Sequence, residues 1–129
     1  MFEYHGWVNI RESTGDDDGE LLHAMVDRIR ELLAGVEDDA AMLDLRWMNG
    51  EPYLHFAGMR NHRNPRVIDL LQRVGRVAPG SFGLLYIWDD EDPGRENEFR
   101  VFRLVRGVVT EHSDTLLSPC MPTVEDELD

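Results

Sequence analysis

The sequence predicts an α+β fold: an antiparallel sheet of four to five strands with two helices on one face, in the order β-α-β-β-α-β-β, ferredoxin-like or related. Three observations carry this. Several runs alternate apolar and polar residues with the period of a strand, and two stretches repeat apolar residues at the three- and four-residue steps of a helix. Between two of the strand-like runs stands Asn49-Gly50, the strongest short-range hairpin signal in a sequence. A length of 129 residues suits one domain with a sizeable core. Residues 1–129 are therefore read as a single domain, with 111–129 as a partly irregular C-terminal tail.

Each element has its own pattern. Phe2 to Arg11 sets Tyr4, Val8 and Ile10 at even positions against Glu3, Asn9 and Arg11 at odd ones, which is a strand. The acidic, glycine-containing stretch Ser13 to Gly19 breaks it and offers both a helix cap and carboxylates suited to a helix N-terminus. Leu21, Leu22, Met25, Val26, Ile29, Leu32 and Leu33 then recur at helical spacing, with Gly35 placed to end the helix. Met42 to Met48 and Pro52 to Met59 read as paired strands around Asn49-Gly50. After the polar run Arg60 to Pro65, a second helix places Val67, Ile68, Leu71 and Val74 on one face and stops at Ala78-Pro79-Gly80. Ser81 to Trp88 is almost continuously apolar, as a buried central strand would be. Asn97 to Thr110 reads as one long strand pairing with it across the turn Asp89 to Gly94. The tail from Glu111 is polar, apolar at Leu116-Leu117, then proline-punctuated, and its end, Glu125 to Asp129, is expected to fray.

The net charge is −13, from 26 acidic and 13 basic residues. Such a charge repels nucleic acid and anionic lipid and favours a basic partner, so neither nucleic acid nor membrane is expected as a ligand. Every basic residue is arginine. No apolar run reaches the roughly 20 residues needed to span a bilayer, and Met1 to Gly6 has no signal-peptide character. With the single Cys120 unable to form an internal disulfide, the cytoplasm is the expected compartment.

No constellation of catalytic residues stands out. His5, His23, His55, His62 and His112 lack the close spacing of zinc ligands, and the acidic runs lack the alternating oxygens of a calcium loop, so no metal or cofactor is expected. Cys120, between prolines, reads as a packed residue. The one concentrated positive feature is Arg60-Asn61-His62-Arg63-Asn64-Pro65-Arg66. It can pair with the protein's own carboxylates or present guanidinium forks to an anion, which leaves open a small hydrolase or a ligand-binding domain using Arg60, His62 and Arg63. The acidic turn Asp89-Asp90-Glu91-Asp92 is the negative feature most available to a partner.

Phe2 to Ser13, Asn49-Gly50, Asn61-His62-Arg63, Ala78 to Ile87, Asp89 to Asp92 and Leu117 to Cys120 together resemble the immunity protein 7 family of bacterial polymorphic toxin systems. The resemblance runs over essentially the whole length. It implies a cytoplasmic, non-enzymatic protein made beside a toxin gene, which binds the cognate toxin domain and blocks it. A basic nuclease would suit so acidic an inhibitor. The expected partner-binding residues are Trp88, Asp89, Asp90, Glu91 and Asp92, together with Arg60, His62 and Arg63.

Overall fold

Tyr4 and Val8 point to the core while Glu3, His5 and Trp7 point away, and this alternation makes Phe2–Asn9 strand β1. The computed structural model describes residues 1–13 and 19–127; most of the acidic run read as a helix cap, at 14–18, lies outside them. Helix α1, Gly19–Leu32, buries Leu22, Val26 and Ile29 and tightens into a 3-10 turn at Leu33–Gly35. Strands β2, Ala41–Met48, and β3, Glu51–Arg60, follow. They turn at Asn49 and Gly50, whose φ angles of 51° and 80° are those of a two-residue hairpin. Helix α2, Arg66–Val77, buries Val67, Leu70, Leu71 and Val74, and the Asn64 side chain accepts the Arg66 N–H at its start. Strands β4, Phe82–Asp89, β5, Phe99–Val105, and β6, Val108–Ser113, complete the sheet. A last short helical turn is Cys120–Thr123.

The sheet is antiparallel throughout, with six strands in the order β2-β3-β1-β4-β5-β6. The α+β class and the placing of both helices on one face agree with the sequence reading, but the strand count and order differ from it. The long strand expected from Asn97 to Thr110 is two strands. Arg106 and Gly107, with φ of 51° and 77°, turn the chain back between Val105 and Val108. Arginine is an uncommon residue for that conformation, so the only turn signal was a single glycine among valines. Of the tail, residues 111–113 belong to β6, and side-chain hydrogen bonds at Asp114 and Asn97 hold Leu116 to Ser118 and Met121; residues 128 and 129, at the end expected to fray, lie outside the described residues.

The register gives the sheet two unlike faces. Tyr4, Gly6 and Val8 lie opposite Gly58, Phe56 and Leu54 on β3, and opposite Ile87, Leu85 and Gly83 on β4. Together with the buried residues of α1 and α2 these form one core, each large side chain stabilising by about 1.5–3 kcal/mol. On the other face Trp88 and Phe99 are covered by Cys120, with Met1 and Tyr86 at the margin of this smaller cluster. Among the described residues, no helix is long and apolar enough to cross a membrane.

Candidate functional site

The pairing register itself assembles the predicted site. Phe2, at the start of β1, lies between Arg60 at the end of β3 and Asp89 at the end of β4. The basic run after β3 and the acidic turn after β4 therefore emerge side by side at one edge of the sheet. Opposite charges in neighbouring loops then pair. Arg63 Nε donates to Asp89 Oδ2 at 3.1 Å, and its Nη2 stands 3.5 Å from Asp92 Oδ1. His62 Nδ1 lies 2.9 Å from Glu91 Oε1. Arg60 turns the other way, to Asp38 at 3.3 Å.

These contacts sort the acidic turn into two kinds of carboxylate. Asp89 is only 3 % exposed; besides Arg63 it accepts the Glu91 N–H, so it fixes the shape of the turn. Asp92 is shared between Arg63 and Arg100, and Arg100 continues to Glu111 and thence to Arg95. Asp90 and Glu91 remain exposed, each near the Met1 ammonium. The hydrogen bond from His62, aided by that ammonium, holds the Glu91 carboxyl below its ordinary value.

Trp88, named among the expected partner-binding residues, lies beneath the surface. It is 8 % exposed, donates its indole N–H to Glu96 O at 2.9 Å and tilts against Phe99 at 5.5 Å between ring centroids. The strand alternation that sends Asp89 to the helix side sends Trp88 to the face covered by Cys120. Cys120 is itself buried, and burial pushes its thiol above the ordinary value; it is a packing residue, as expected.

The His62 side chain is 81 % exposed. The groove it shares with Arg63, Asp89, Glu91 and Pro93 is a surface trough, which leaves the imidazole in water. Strong acid–base catalysis relies on the opposite arrangement. His23 stacks on Trp47 at 4.4 Å. Among the described residues no three His, Cys, Asp or Glu side chains gather in a way that could hold a metal ion.

Sequence reasoning passed over the outer face of the sheet, where the register sets Glu3, His5 and Trp7 of β1 beside Ala57 and Met59 of β3 and Tyr86 of β4. Two shallow grooves cross it. One, of about 410 Å³, is lined by Glu3, His5, Tyr86, Phe99, Asp114, Leu116 and Leu117. The other, of about 390 Å³, runs from the same Glu3 and His5 to Asp39, Met42, Ala57 and Met59. A signal was present: β2 and β4 carry apolar residues at both parities, as strands do when both their faces are used. In β4 the same pattern also fits burial in a central strand.

No curated protein matches the chain in sequence. Among solved structures, a phage SAM lyase in complex with S-methyl-5'-thioadenosine is similar over 88 % of this chain and 89 % of its own, at 10 % identity and a TM-score of 0.41, too distant a likeness to bear on function. The sequence itself is decisive: the model of the family described as immunity protein 7 matches residues 1–126, a span that holds every motif from Phe2 to Cys120, and the chain belongs to that family.

Proposed function

We propose that this protein neutralises a cognate bacterial toxin domain by binding it stoichiometrically, without catalysis, in the cytoplasm of the cell that makes both. The observation that carries the reading is the family match over residues 1–126, since an immunity protein implies a toxin. The charge of −13 favours a basic toxin, and a nuclease is the class that such charge suits best. An acidic inhibitor is steered to a basic partner and competes with its polyanionic substrate.

The edge formed by the two ion-paired loops is the proposed first contact. Asp90 and Glu91 present charge to the partner, while Asp89, Asp92, Arg63 and His62 hold the turn in shape and Trp88 supports it from behind. Arg60 flanks the edge beside Asp38. The test is co-expression with the toxin encoded by the neighbouring gene, followed by association kinetics on the purified pair. Asp90→Lys with Glu91→Lys is expected to slow association at low salt by about tenfold and to flatten its dependence on ionic strength. Unchanged kinetics would reject this edge. A neighbouring gene product that is harmless when expressed alone would remove the toxin reading.

A further inference from the structure

The two grooves on the outer face meet at the Glu3–His5 pair and make one continuous strip. Its apolar side chains stand in water: Met42 is 61 % exposed, Met59 57 % and Leu116 76 %. The helix side of the sheet has α1 and α2 to cover it, and Cys120 covers Trp88 and Phe99, but the β2-β3-β1 part of the outer face has no such cover among the described residues.

The wall formed by Leu116 and Leu117 is fixed in place. The Asp114 carboxylate accepts both their N–H groups, at 2.9 and 3.1 Å, and the Ser118 hydroxyl at 2.7 Å. Ser118 Oγ in turn accepts the N–H of Phe99 on β5. Two exposed leucines are thus held over the sheet by a hydrogen-bonded loop, where a free loop would turn them inward.

The polar residues around the strip decide what fits it. Glu3, Asp39 and Asp114 line the grooves and no arginine does. Glu3 is engaged by His5 at 2.8 Å, a partner that a guanidinium or ammonium can displace. A second copy of this chain would bring the same carboxylates and a further −13 against the face. A basic partner meets no such repulsion.

We propose that the toxin seats an apolar side chain, flanked by arginine or lysine, in this strip, with the apolar group against Met42, Met59 and Leu116 and the cation at Glu3. The inference rests on the toxin-binding reading and adds a second contact, distinct from the loop edge. The methionines suit it, since unbranched thioether chains adapt to whatever is laid on them. The loop edge governs how fast the pair forms, and the strip governs how slowly it separates, as buried apolar anchors do.

Met59→Asp and Leu116→Asp test it separately, one on a strand and one on the loop, with Gln72→Asp on the exposed side of α2 as control. Each adds a negative charge, so general attraction to a basic toxin cannot explain a loss. Binding of the neighbouring gene's toxin domain is measured by calorimetry and by dissociation rate, with thermal melting to verify folding. Both face variants are expected to weaken binding by at least about tenfold, mainly through faster dissociation, and Gln72→Asp to leave it unchanged. Undiminished affinity in both face variants, with the unaltered protein binding normally, overturns the strip and leaves the toxin reading intact. If the unaltered protein is a dimer that Met59→Asp makes monomeric, the occupant is a second copy and the proposal is likewise overturned. Failure of the unaltered protein to bind the toxin at all overturns both readings.

Discussion

Asp89 shows how one buried charge is made tolerable and then useful. A carboxylate 3 % exposed needs partners, and it has the Arg63 guanidinium and the Glu91 N–H. Arg63→Ala leaves that carboxylate without its cation and is expected to destabilise the protein by about 2 kcal/mol, below the full effect of an enclosed pair because Arg63 is half-exposed. Urea unfolding reads this directly. Gly83 is the second sensitive point: a Cβ there would come within 2.0 Å of the Trp7 carbonyl oxygen, a backbone atom held by the β1–β4 ladder. Gly83→Ala is therefore expected to cost about 3 kcal/mol, measured in the same way. The opposite charges of these loops are plain in the sequence, whereas their pairing is not. Arg63 and Asp89 are 26 residues apart, and only the place of Phe2 between Arg60 and Asp89 brings their loops together.

Among the elements, the legible ones are those whose ends carry their own chemistry. Asn49-Gly50 announced the β2–β3 hairpin, and the helical spacing of Val26, Ile29, Leu71 and Val74 announced the helices. The β5–β6 hairpin was hidden because Val105-Arg106-Gly107-Val108-Val109 keeps strand-like composition through its turn. Arg106 at a φ of 51° pays a steric penalty that asparagine largely avoids. Arg106→Asn is expected to stabilise the protein by about 0.5–1 kcal/mol, seen as a higher urea midpoint with unchanged slope. The outer face was hidden for a related reason. A strand with apolar residues at both parities can lie in the middle of a core or carry a partner's surface, and Met42 and Met59 alone do not distinguish the two.

At the scale of the whole molecule, charge sets the response to acid. The hydrogen bond from Arg100, followed by that from Arg95, holds Glu111 below its ordinary value of 4.5, and the bond from His62 does the same for Glu91. A carboxyl whose pKa is lower folded than unfolded contributes stability that is complete above the unfolded value and lost as pH falls through the folded one. The melting temperature is therefore expected to stay level from neutrality to about pH 5 and to fall below about pH 4.5, measured by thermal melts across that range. A flat profile down to pH 3 would contradict these contacts. A further consequence comes from β1, the first strand in the chain and an inner strand of the sheet, whose partners are β3 and β4. On the ribosome it waits for residue 60 before one edge can pair and for residue 89 before the other can. At about 5–20 residues per second, the chain spends several seconds with its central strand made and unmatched. The middle of the sheet therefore closes only after residue 89 has emerged, so the core around Tyr4 and Val8 cannot form while the nascent chain is short.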